Sequence, residues 1–390
     1  MKLIILLSPF ILLFFRQALK KVQNKKEILS ILSLMFIFFI HNFCVVVLTI
    51  ALAFTHYLYL KGKKWCALSL LLIVGVFVVF NKIDFYFPNL EFILFNGKTF
   101  YSPLNIGIVS LLIIRGLFLI KEDKVAPYTF SESLFKFSFV PTFYLPLLNL
   151  QDNNNESFNL NAFLKYYFLA ISFKGLFSET FFYWISYDHI SSLNTIQAIY
   201  LFGSGLFHTL SELTFMYFIF QMILQCFNFK TIQFKEVLKN AIKLVRTSSI
   251  LTLSVLFASI AFLNNLPFLF LSIFMSWFIQ TDYHKKMGVK IFVFLLISLV
   301  LVNFSIHSFG DMKAILSGLI NVQTIFLYYN ELFILWPFKM SFVTTLLLII
   351  FPFYLWRVFK RFDNIKPISM LFLYVLSVFL LDNNTIFSLL

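Results

Sequence analysis

Within one apolar stretch of this sequence, Phe202-Gly203-Ser204-Gly205-Leu206-Phe207-His208-Thr209-Leu210-Ser211-Glu212-Leu213, a histidine and a glutamate stand four positions apart. On a helix that spacing places both side chains on one face. An imidazole beside a carboxylate is the arrangement of a general acid/base pair, in which the ring takes or gives the proton and the carboxylate orients it. The same spacing serves a plainer purpose, with His208 and Glu212 satisfying one another between packed helices, and the sequence leaves both open. Ionisable groups inside an apolar segment are costly to keep there, which makes His208 and Glu212 the first candidates for catalysis.

Other polar residues punctuate the chain in ways that point less to chemistry. Lys165, Lys174 and Glu179 interrupt the preceding apolar segment. Lys165 can snorkel, whereas Lys174 with Gly175 and Glu179 reads as a helix end near a membrane interface. His307 falls at a helix terminus, and Asp311 and Lys313 after it read as a solvated turn leading into a short amphipathic helix. Cys44, Cys66 and Cys226 lie far apart with no pair at metal or redox spacing, so they read as small hydrophobes. A Gly-rich phosphate loop, a His-Glu-x-x-His, a paired-cysteine metal site and a nucleophile elbow are all missing from the sequence. No bound cofactor and no metal are expected, and an ATP-driven pump would need a separate motor chain.

The elements that must position these residues are set by composition. Of 390 residues, 60% are hydrophobic and 12% charged, with 57 Phe, and mean hydropathy is +0.89; soluble domains carry about 25% charged residues. That excludes a soluble globular domain, a coiled coil, a disordered tail and a disulfide scaffold. The expected fold class is all-α: a polytopic integral membrane protein of about 11–13 helices, some of them short re-entrant or hairpin helices, in a single transmembrane domain over residues 1–390. The net charge of +14, from 31 Lys and Arg against 17 Asp and Glu, is explained by basic loops facing anionic lipid, so the lipid bilayer is a partner and nucleic acid is not.

Charge also orders the segments. Residues 1–15 form a short apolar run followed by Arg16, Lys20, Lys21, Lys25 and Lys26, which suits a retained first helix ending in the cytoplasm. The run 28–60 is too long for one span and is flanked by basic clusters, so it divides into two short helices turning at His41-Asn42. Further apolar segments lie at about 65–81, 104–120, 134–150, 161–186, 197–227, 248–263, 266–281, 290–306, 322–336, 341–356 and 367–381. Asn264-Asn265 with Pro267 marks a second hairpin, and the polar stretch 151–157 an external loop.

Taken in order, several segments resemble the membrane-bound O-acyltransferase family, in particular its bacterial branch that esterifies alginate, cellulose or teichoic acid. The carriers are the hairpin and basic turns leading into 71–87, where Phe80-Asn81-Lys82 stands for the family's Phe-Lys-Tyr. Ser102-Pro103-Leu104-Asn105-Ile106-Gly107-Ile108 is similar to Leu-Pro-Leu-Gly-Ile-Ser. The stretch from Tyr128 to Pro141, continuing to Leu145-Pro146, is similar to a Phe-Phe-Pro-x-x-x-x-Gly-Pro block. Ile171-Ser172-Phe173-Lys174-Gly175 is similar to Leu-Phe-Lys-Lys, and residues 304–316 to the family's late Phe-Phe-Arg-Ala helix.

Gly205-Leu206-Phe207-His208-Thr209 resembles the Gly-Leu-Trp-His-Gly motif that bears the family's catalytic histidine. By spacing, however, 203–212 stands where the family has an Asp-Phe-Ser-Gly run, and the histidine's place falls in 252–264, which has no His. The resemblance therefore implies one of two things. Either His208 is a general base acting on an acceptor sugar hydroxyl, with Glu212 orienting it and an acyl thioester (acyl-CoA or an acyl carrier protein) as donor, or the fold is kept and the chemistry lost. It further implies a multi-pass protein of the bacterial inner membrane, working in O-acylation of cell-envelope polysaccharide alongside an extracytoplasmic acyltransferase partner protein. A polysaccharide polymerase, a lipid-linked glycan transporter and a non-catalytic membrane scaffold are the alternatives.

Overall fold

A computed structural model describes residues 2–20, 24–41, 43–63, 129–144, 148–150, 158–178, 195–230, 309–320 and 338–360, with scattered positions at 22, 112, 114–116, 118–119, 146, 181, 236, 240, 298, 370, 374–375 and 377. Among the described residues the fold is all-helical, 88% helix with no strand, as the composition requires. The expected segments 65–81 and 248–306, the hairpin at Asn264-Asn265, the polar stretch 151–157 and residues 322–336 lie wholly or almost wholly outside the described residues, as does His307.

The chain divides into two compact units, each assembled from separate stretches of sequence: residues 1–14, 155–228 and 288–390 in the first, 15–154 and 229–287 in the second.

The second unit contains the expected hairpin. Helix α2, Lys25–Ile40, and helix α3, Phe43–Leu60, are separated at His41, whose ring Nε2 lies 2.7 Å from the Tyr144 hydroxyl. Helix α4, Phe130–Ser138, packs on both. It starts with a capping box, in which Thr129 Oγ1 accepts from the Glu132 amide and the Glu132 carboxylate accepts from the Thr129 amide. The apolar run 134–150 is not one helix, in contrast to its uniform hydropathy. Pro141 has no amide to donate to the Phe137 carbonyl, so the ladder breaks at Phe139 and restarts as the short helix α5, Val140–Tyr144.

The first unit holds the candidate residues. Helix α1, Lys2–Leu19, continues four residues past the expected run, and only its residues up to 14 belong to this unit. Helix α6, Leu160–Ser172, is capped by Asn159, whose side chain accepts from the Ala162 amide at 3.1 Å. It runs directly into a π-helical turn, Phe173–Ser178. Helix α7, Thr195–Cys226, lies against both and against helix α8, Phe309–Ile320. Asp311 and Lys313 belong to α8 itself, where the sequence pointed to a solvated turn. Helix α9, Phe338–Lys360, also touches α7. Among the described residues one helical stretch, Ala198–Cys226 of α7, is long and apolar enough to cross a bilayer. At 1.5 Å per residue its 29 residues span about 44 Å, more than the roughly 30 Å of a hydrocarbon core.

Candidate functional site

The site begins with a backbone irregularity. At Ser172 the hydroxyl bonds back to the Phe168 carbonyl at 2.8 Å, loosening the helix ladder just where α6 gives way to the π-helical turn. Gly175 sits in the middle of that turn against the backbone of Ser377, and any Cβ there would overlap the Ser377 carbonyl. Glycine is therefore required at this position, because two backbones meet with no room for a side chain. Single π-helical turns of this kind recur at functional sites.

The turn carries Lys174 and Ser178 into the interior, where both are 0% exposed. Lys174 therefore does not mark an interfacial helix end, the place its neighbours Gly175 and Glu179 suggested; Glu179 itself lies outside the described residues. Across from the turn, α7 presents His208 and Glu212 on one face, each 2% exposed. The Lys174 ammonium and the Ser178 hydroxyl both donate to Glu212 Oε1. His208 Nδ1 lies 3.1 Å from the Ser178 carbonyl oxygen and 3.2 Å from Ser178 Oγ. His208 and Glu212 are thus brought into one cluster, as their spacing foretold, and the link the structure displays between them runs through Ser178.

Aromatic rings close around this cluster. Phe351 of α9 lies 4.8 Å from Phe207, 5.0 Å from Phe177 and 5.7 Å from Phe181, centroid to centroid. Phe173 packs on Phe218 and Tyr354. In so apolar a surround, attraction between Lys174 and Glu212 is screened far less than at a surface, and each charge depends on the other for its solvation. One turn before His208 on the same face, Ser204 is fully buried and its hydroxyl has no hydrogen-bond partner among the described residues.

The second unit holds polar groups that sequence reasoning passed over. Arg115 is 1% exposed and directs Nε to the Lys136 carbonyl at 2.9 Å and Nη1 to the Pro146 and Leu148 carbonyls at 3.0 and 2.6 Å. His56 is buried beside Ser133 at 3.1 Å. Among the described residues of this unit His56 is thus buried and His41 half-buried, whereas His208 is buried in the first unit. Cys226 is buried in the first unit, its Sγ 3.3 Å from the Leu12 carbonyl; the side chain of Cys44 and the whole of Cys66 lie outside the described residues.

The arrangement in the first unit can hold and move a proton: a carboxylate, a hydroxyl and an imidazole joined in series, with an ammonium fixing one end. Among the described residues no three His, Cys, Asp or Glu side chains gather as metal ligands would. Comparison with known protein families, with characterised proteins and with solved structures finds no match to this chain.

Proposed function

We propose that this chain is a polytopic membrane protein of the bacterial inner membrane that transfers acyl groups to hydroxyls of cell-envelope polysaccharide, in the manner of the membrane-bound O-acyltransferases it resembles. The observation that carries the proposal is the buried Lys174, Glu212, Ser178 and His208 cluster. A chain that has abandoned chemistry gains nothing obvious from burying an ion pair, since apolar residues of similar volume would hold the same helices together as well or better. His208 serves as general base. The acceptor hydroxyl passes its proton to the imidazole as its oxygen attacks the carbonyl carbon of an acyl thioester, the C–S bond breaks, and the departing thiolate takes the proton back. The extracytoplasmic acyltransferase partner implied by the resemblance would act alongside the chain on the same polysaccharide.

The membrane setting draws support from the outer faces of the helices. Phe10 and Phe14 of α1, Phe39 of α2, Phe43 of α3, and Phe353 and Trp356 of α9 are all more than half exposed. So many large apolar rings facing outward suit hydrocarbon and not water. At the ends of α3 and α9, Lys61 stands 4.8 Å from the Tyr57 ring and Lys360 stands 4.6 Å from the Trp356 ring. Aromatic and basic residues together are the anchors of a membrane interface.

A second reading, the same fold without turnover, is favoured by one observation: at 2% exposure His208 shows no opening to a substrate. The two separate in the native host. Ester-linked acyl groups on envelope polysaccharide are compared between wild type, a deletion strain and His208→Ala at matched protein level. Loss of at least 90% of the wild-type ester in His208→Ala, as in the deletion, is the expected result. Loss in the deletion alone would make the chain a scaffold, and loss in neither would end the acyl-transfer proposal.

A further inference from the structure

We propose that Ser178 is a positioning residue: through its backbone and its side chain together it fixes the proton of His208 on Nδ1 and passes the pull of the Glu212 carboxylate to the ring, leaving Nε2 as the basic nitrogen. The role of Nε2 as base rests on the acyl-transfer proposal; the proton's location does not.

The argument is one of donors and acceptors. The Ser178 carbonyl oxygen can only accept, and it lies 3.1 Å from His208 Nδ1, so that nitrogen carries the hydrogen. The Ser178 hydroxyl has a single hydrogen, and it is committed to Glu212 Oε1. Toward His208, 3.2 Å away, Ser178 Oγ therefore has only lone pairs to offer. The Nδ1 hydrogen sits between two acceptors of one residue, and a neutral imidazole protonated at Nδ1 keeps its lone pair on Nε2. Donation to a carboxylate makes a hydroxyl oxygen a better acceptor, so the pull of Glu212 reaches the ring through one intervening oxygen. Lys174 donates to the same Oε1, which fixes the direction in which the carboxylate faces.

The π-helical turn is what allows both contacts. It brings the Ser178 carbonyl and the Ser178 side chain to the same neighbour on α7, while Gly175 lets the turn lie flat on the backbone at Ser377. Alanine at 178 would keep the carbonyl contact and delete the relay, so it isolates the side chain's part.

The test uses the full chain with 15N-labelled histidine in lipid bilayers, His208→Gln identifying the His208 signals. Wild type is expected to show the pattern of a ring protonated at Nδ1 and unprotonated at Nε2. Ser178→Ala is expected to reduce the preference for that form at least fivefold, and Glu212→Gln, which keeps the shape and removes the charge, to reduce it as well. In the acyl-transfer assay Ser178→Ala should lower kcat at least tenfold with KM within a factor of two. A wild-type ring protonated at Nε2, or a Ser178→Ala spectrum identical to wild type, would overturn the proposal. Should wild type transfer no acyl group while the spectra behave as expected, the acyl-transfer proposal fails and the positioning of His208 by Ser178 stands.

Discussion

Each of the two units buries a large cation, and they neutralise it by different means. In the second unit Arg115 is satisfied by the backbone carbonyls of Lys136, Pro146 and Leu148. These contacts close carbonyl valences near the end of α4 and beyond the end of α5. In the first unit Lys174 meets a carboxylate side chain, which meets a hydroxyl, which meets an imidazole. None of those four groups is needed to complete a backbone ladder. The difference separates a stitch from a site: one cation serves the chain's own main chain, and the other belongs to a network whose far end is an acid/base group.

That comparison can be broken at its strongest point first. Glu212→Leu leaves the Lys174 ammonium buried without its carboxylate and is expected to cost about 3–5 kcal/mol, whereas Lys174→Met with Glu212→Leu together should fall within about 1 kcal/mol of wild type. Reversible unfolding in detergent, followed by near-ultraviolet dichroism, measures both. A double variant as unstable as the single one would make the ion pair a structural stitch too. Next in size is Arg115→Met, which strips three carbonyls of their donor and is expected to cost about 3 kcal/mol in the same measurement while leaving the 15N signals of His208 unchanged. Movement of those signals would mean that the two polar systems are coupled. The smallest effect is expected at Ser204. Removing a buried hydroxyl that has no partner among the described residues should change stability by about 0.5 kcal/mol or less in Ser204→Ala. A concurrent tenfold fall in acyl transfer would place Ser204 against the substrate.

The sequence made some of this legible and hid the rest for identifiable reasons. The hairpin turn at His41 was readable because flanking lysines and a polar pair mark it, and α7 because its apolar run is long and neither proline nor a basic cluster breaks it. The pairing of His208 and Glu212 on one face followed from helix spacing alone. Ser178 escaped notice because its partners lie 30 and 34 positions downstream, beyond any local pattern. Lys174 was placed at an interface because the carboxylate that receives it is on another helix. The three carbonyl contacts of Arg115 left no signature, since every residue possesses a carbonyl. The break inside 134–150, by contrast, was available from Pro141 and was masked only by the surrounding hydropathy.

The backbone contact between Gly175 and Ser377 sets an order of events during synthesis. The two positions are about 200 residues apart, so at the usual 5–20 residues per second the π-helical turn waits about 10–40 s for the strip of chain that covers it. Through that interval Lys174 and Glu212 have already been made and must find each other with one side of their enclosure missing. Until that segment has been made the turn lacks its backbone neighbour at Gly175, so the pair reaches its full burial only late in synthesis.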